Sequence, residues 1–293
     1  KTFVYHTGID NDHTTDLIKK SCFNFFQNTN IDSIINKVIT DKLDILIFLD
    51  IGMDPRLQIM GPLRLAPTQC SAYGVPVTTG IKNIDYFFTG EAMEPDDSYN
   101  HYSEKLIKIP DLGVCYDAPQ KINIKKLNQK EINEKTNFIS LQSNFKLLPQ
   151  HDHIYFDIIK KNPKSKFTFI STKNEFIAEK FKKRLINMSK DKGLIFEDFF
   201  IFYPQTSYQN YLNLIYNSDI VLDSLEWSGL NTSLEAISLD KPIITLPSNF
   251  MRGRHSYGIL KTLKIDELIC SSKKEYVNLA AKLSVDSNYY GKI

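Results

Sequence analysis

Short apolar runs alternate with amphipathic stretches along most of the chain. Runs at residues 2–6, 43–49, 69–73 and 84–89 are strand-sized, apolar or β-branched, and edged by turn residues. Helical spacing fills the interval between the first two, at residues 12–26 and 31–40. Strand–helix–strand alternation predicts a parallel sheet. The continuous apolar run at 45–49 predicts a strand buried on both faces. Residues 110–135 break the pattern: they are polar, rich in Lys, Asn and Gln, and read as an interdomain connection.

A second alternation follows. Strands are expected at 138–141, 167–171, 199–203, 220–223, 243–246 and 268–270, with helices at 151–161, 175–189, 208–217, 232–238, 257–263 and 273–283. This is the pattern of a second doubly wound α/β unit. The expected organisation is an N-terminal half over 1–118, a linker over 119–135 and a C-terminal domain over 136–293, with a cleft between the halves.

The 293 residues, 42% hydrophobic and 24% charged, fit an ordinary globular protein of about two domains. A net charge of +2 is too small to point to nucleic acid or an anionic membrane as partner. No apolar run reaches the roughly 20 residues that span a bilayer. Cys22, Cys70, Cys115 and Cys270 are widely spaced and form no CxxC pair, which fits reduced thiols in the cytoplasm. No leader is evident. The chain opens inside a strand without an initiator Met, so its true start is expected upstream.

Candidate chemistry concentrates at residues 219–257. A strand is followed by the small-residue loop from Ser228, then a helix opening on Asn231 and Thr232, then a second strand. Gly229 allows a tight turn, and the first amides of a helix have no intrahelical partner, so such a terminus binds phosphate. Glu235 stands three residues after Thr232. It either reaches a ribose or completes a Thr-x-x-Glu capping box. Lys146, in a strand-to-helix loop, either neutralises a diphosphate or is a solvated surface lysine. Asp10 and Asp12 either hold a metal or, the favoured reading, shape a turn and cap a helix. Gly74 and Pro76 fix a turn that either admits a ligand or is simply tight. Arg252, Arg254 and His255 either contact phosphate or an acceptor, or are solvated.

The stretches LRLAPTQCSAYGVPVTTG, IDYFFTGEAMEP…HYSEKLIKIP and GLNTSLEAISLDKPIITLPSNFMRGRHSY together resemble glycosyltransferase family 41. That is the family of protein O-GlcNAc transferases, SPINDLY-type fucosyltransferases and bacterial adhesin N-glucosyltransferases. The resemblance implies a GT-B fold, two Rossmann-like domains facing a cleft, with the N-terminal one truncated here. It implies an inverting transfer from a UDP-linked sugar, UDP-GlcNAc or UDP-Glc, to a protein Ser, Thr or Asn side chain, without a metal. By that resemblance Lys146 contacts the diphosphate, Asn231 and Thr232 the phosphates, and Glu235 the ribose. Gln205, Thr206 and Tyr211 fall at the base, Gly74 and Pro76 near the donor sugar. His13 and His255 are the candidate general bases. Leu230 stands where animal O-GlcNAc enzymes have a polar residue, and neither a preceding histidine-bearing piece nor tetratricopeptide repeats are found. Two alternatives stay open: a non-catalytic nucleotide-sugar-binding module, and a GT-B enzyme acting on a glycan or lipid.

Overall fold

The computed structural model describes residues 1–119, 135–172 and 174–293. They form two compact units: Lys1–Thr89 with Asp96–Ile109, and Gly90–Pro95 with Pro110–Ile293. Of the expected linker 119–135, residues 120–134 lie outside the described residues. None of the described helices is long and apolar enough to cross a membrane.

The first unit runs β1 (Phe3–His6), α1 (His13–Ser21), β2 (Asn24–Gln27), α2 (Ile31–Asp41), β3 (Ile45–Phe48), α3 (Pro55–Met60), β4 (Thr68–Ala72), β5 (Tyr86–Gly90) and β6 (Lys105–Ile109). β1 and β2 pair in parallel, and the other strands form a sheet in the order β3-β4-β5-β6. Asp12 starts α1 by a reciprocal capping box with Thr15, so this acid is a cap, as the turn reading expects.

Two expectations fail here, both for tertiary reasons. The helix expected over 12–26 stops at Ser21, and Asn24–Gln27 turns extended to pair with β1, residue for residue from Phe3 opposite Asn24. The run at 45–49 is not buried on both faces. Leu46 and Phe48 face the core with Ile34 and Val38 of α2, whereas Ile45, Ile47 and Leu49 are 57%, 48% and 67% exposed. Alternate residues of a strand point to opposite faces, and here only the face of Leu46 and Phe48 meets the core.

The second unit runs β7 (Thr136–Ser140), α4 (His153–Lys161), β8 (Ser165–Ile170), α5 (Glu175–Asp191), α6 (Phe196–Phe199), β9 (Phe200–Tyr203), α7 (Tyr208–Tyr216), β10 (Ile220–Leu222), α8 (Asn231–Ile237), β11 (Ile243–Ile244), α9 (His255–Leu263), α10 (Lys273–Val285) and α11 (Ser287–Lys292). All five strands are parallel, in the order β11-β10-β7-β8-β9. The strand expected at 268–270 is reduced to one parallel bridge, Thr245 with Ile269.

That order winds outward from β7 in one direction and from β10 in the other. The loops leaving these two neighbours therefore diverge, and a crevice opens at their C-terminal ends. The sheet beneath is held by an aromatic row in register: Phe138 on β7, Phe167 on β8, Phe200 on β9. Their rings stack at 5.2 and 5.6 Å, and Tyr155 of α4 meets Phe167 edge-on at 5.3 Å. This row packs the half of the sheet that leads away from β7.

Truncating the middle ring tests its weight. Phe167→Ala should cost about 3–5 kcal/mol, because the cavity it leaves is walled by strands that cannot collapse inward. Phe176→Ala, at a side chain 66% exposed, should change stability by less than about 1 kcal/mol. Urea unfolding monitored by circular dichroism measures both.

Candidate functional site

The loop after β10 is built around Asp223. This carboxylate is 6% exposed and accepts three hydrogen bonds: from Ser228 Oγ at 2.6 Å, the Gly229 amide at 3.0 Å and Thr245 Oγ1 at 2.8 Å. Burial raises its pKa, and these donors oppose the shift. Its own carbonyl accepts from the Tyr276 hydroxyl at 2.9 Å. Ser256 extends the network, its amide donating to Ser228 Oγ at 2.9 Å and its hydroxyl lying 2.9 Å from Ser233 Oγ. Between the two ends of the loop Glu226 takes φ 71°, a left-handed conformation that non-glycine residues adopt reluctantly.

Gly229 cannot be replaced cheaply. A Cβ there would collide with Gln142 Nε2 and Thr232 Oγ1. These two groups are bonded to each other at 2.5 Å, and Gln142 Oε1 accepts from Lys146 Nζ at 2.9 Å. The loop after β7, which carries Gln142 and Lys146, thus meets the start of α8 at the mouth of the sheet. Lys146 is half-buried, and its Nζ lies 5.6 Å from the Trp227 ring centre. Burial lowers its pKa, and Asp223 raises it in part. Arg252 also lies by Trp227, its Cζ at 5.8 Å from the ring centre.

The Thr-x-x-Glu spacing does not form a capping box. No side chain caps α8. Thr232 is engaged by Gln142, and buried Glu235 accepts from the Tyr208 hydroxyl at 2.9 Å. Tyr211, one turn along α7, stacks tilted by 22° against Tyr208 with ring centres 6.2 Å apart. Burial first, then the Glu235 carboxylate, raises the pKa of both tyrosines. Gln205 is exposed and Thr206 half-buried, in the turn between β9 and α7.

Other expected residues are placed differently. Arg254 is tied up: its Nε donates to the Met93 carbonyl at 3.2 Å, its Nη1 to the Ser248 carbonyl at 3.3 Å, and it covers Tyr257 at 4.3 Å. Two of its five N–H donors thus hold the turn before α9. His255 is 5% exposed, its Nδ1 3.2 Å from the Ser228 carbonyl. Burial, with Lys146 adding to it, pushes its pKa from 6.5 down to about 4. A neutral ring enclosed beneath the loop is poorly placed to take a proton from an acceptor. In the first unit, His13 is the exposed first residue of α1. Gly74 is exposed and Pro76 buried. What approaches the Gly74 backbone is the Leu49 carbonyl, which a Cβ would strike.

Gln142, Asp223, Tyr208 and Trp227 are not marked by sequence reasoning. Asp223 alone carried a local sign, an acid closing the apolar run of β10 ahead of a small-residue loop.

His255 has a measurable signature. The unfolded chain binds its proton near pH 6.5 and the folded protein only near pH 4. Its contribution is therefore intact above pH 6.5 and lost as pH falls toward 4, in total about 3 kcal/mol. His255→Gln should flatten that part of the acid limb when urea midpoints are compared with wild type from pH 7 to 4.

Residues 113–293 match the model of glycosyl transferase family 41, more than half of the chain. Over 246 residues the chain is 24% identical to the probable UDP-N-acetylglucosamine–peptide N-acetylglucosaminyltransferase SPINDLY of Petunia hybrida, covering 84% of this chain and 26% of that protein. The chain thus spans about a quarter of that relative's length. Among solved structures, a mutant O-GlcNAc transferase of Thermobaculum terrenum superposes with a TM-score of 0.85 at 22% identity, over 99% of this chain and 55% of that one. A trehalose-6-phosphate protein from E. coli, bound with UDP-2-fluoro glucose, gives 0.62 at 12% identity, over 97% and 91%. These likenesses show the fold, GT-B. With its sheets, its loop after β10 and this match, the chain belongs to glycosyl transferase family 41.

Proposed function

We propose that the chain is an inverting glycosyltransferase that moves a sugar from a UDP-linked donor, UDP-GlcNAc or UDP-Glc, to a protein Ser, Thr or Asn side chain. In this reading residues 136–293 hold the donor, residues 1–118 serve the acceptor, and 119–135 link them. The observation that carries it is the joining of Lys146 and Thr232 through Gln142 at the mouth of β7 and β10, where α8 starts with no side-chain cap. Family membership and the UDP named for the relatives point the same way.

The diphosphate would lie between the Lys146 ammonium and the start of α8 at Asn231 and Thr232. Two sources of positive potential, an ammonium and a helix terminus, stabilise charge that grows on the leaving diphosphate as the anomeric bond breaks. Both are held in place before the donor arrives, so little reorganisation is needed at the reacting step. Glu235, on the same helix, would take the ribose hydroxyls. Tyr211, with Gln205 and Thr206, would frame the base. Arg252 supplies a second cation by Trp227. The acceptor nucleophile attacks the face of the anomeric carbon opposite the diphosphate, which inverts its configuration. Its proton needs an acceptor; His13 is the histidine left to test once His255 is enclosed.

Calorimetric titration with UDP, with GDP as control and EDTA present, tests the donor site. Micromolar UDP binding is expected. Lys146→Ala should weaken it about 10- to 100-fold, the loss of a charge-assisted bond to phosphate. Glu235→Gln should cost less than Glu235→Ala, since the amide still accepts a hydroxyl hydrogen. No UDP binding by the folded protein overturns the reading. UDP binding with neither transfer nor hydrolysis of a UDP-sugar would favour the non-catalytic binding module.

A further inference from the structure

Gln142 lies two residues beyond β7, is 7% exposed, and belongs to no expected site. Its carboxamide touches both groups that the donor reading assigns to the diphosphate. We propose that Gln142 is the positioning residue of the anion site, setting which hydrogens of Lys146 and Thr232 face the phosphates. This rests on the donor-site reading and extends it to an uncharged residue.

The orientation of the amide follows from donor chemistry. An ammonium has three hydrogens and no acceptor, so the amide oxygen must face Lys146. That bond is 2.9 Å. The amide nitrogen is then turned to Thr232, and its hydrogen occupies a lone pair of Thr232 Oγ1 at 2.5 Å. With Oγ1 accepting from Gln142, the hydroxyl hydrogen of Thr232 is left to donate elsewhere. Lys146 spends one hydrogen on Gln142 and keeps two. One neutral group thus orients a lysine of the loop after β7 and a threonine at the start of α8. Lys146 is half-buried, so a fixed acceptor also replaces part of the hydration its ammonium has lost. Gly229 allows the arrangement, because any side chain there would strike the Gln142 amide.

Charge at position 142 should be worse than no polar group at all. A carboxylate would accept from both neighbours: Lys146 would form an internal ion pair, and the Thr232 hydroxyl would turn inward to donate to it. Both would be lost to the phosphates. An aliphatic side chain only leaves the two groups unfixed.

The experiment compares Gln142→Leu, Gln142→Asn and Gln142→Glu with the wild-type chain. UDP binding is measured by calorimetry and uridine binding by ligand-observed NMR. Expected are a roughly 10-fold weaker UDP complex for Leu and for Asn, which is too short to reach both partners, and a roughly 100-fold weaker one for Glu. Uridine affinity should stay within about twofold, since the amide acts only on phosphate ligands. Asn keeps an amide in place should the Leu variant fail to fold. Unchanged UDP affinity, a Glu variant no worse than Leu, or uridine weakened in parallel with UDP would each overturn the proposal while leaving the donor reading standing. A wild-type chain that binds no UDP would overturn both.

Discussion

One carboxylate withdrawn from water organises the second unit. A carboxyl group inside a protein is costly unless its oxygens are met by hydrogen-bond partners. Asp223 meets that condition with three donors: a hydroxyl and an amide of the loop after β10, and a threonine at the end of β11. The loop must curl back over the carboxylate to supply them. Once it does, Gly229 is pressed against Gln142, α8 starts where it does, and Ser256 at the head of α9 is drawn into the same network. The crevice is therefore a by-product of satisfying a buried carboxyl group, laid on a sheet whose strand order already opens a gap there.

This division of labour suits an anion site. The stiff parts, the aromatic row of β7, β8 and β9, lie below and take no part in polar chemistry. The polar groups above are bonded mainly to one another, so they are ordered without a ligand. Preorganised donors are the form in which protein electrostatics is most effective, because their reorientation is not charged against binding.

Periodicity made the second unit's order of elements legible, since its strands are short apolar runs and its helices carry clear polar faces. It was less reliable in the first unit. The residues at 24–27 continue an apolar pattern from α1, and only pairing with β1 makes them a strand. The run at 45–49 looks the same whether one face or both are covered, and only tertiary packing decided it. At the site, Lys146, Thr232 and Glu235 stood out through local spacing. Gln142 and Tyr208 did not, because their significance lies in partners 90 and 27 positions away. The Thr-x-x-Glu spacing was locally persuasive as a cap, yet both of its side chains found tertiary partners instead.

The bond from Tyr208 to Glu235 has a thermodynamic corollary. The tyrosine fills one acceptor site of a carboxylate that has about four, so further hydroxyls can be accepted beside it. It also holds the Glu235 side chain in one rotamer in the free protein. The rotamer freedom of that side chain is lost on folding, and its loss does not recur when a further hydroxyl group docks there.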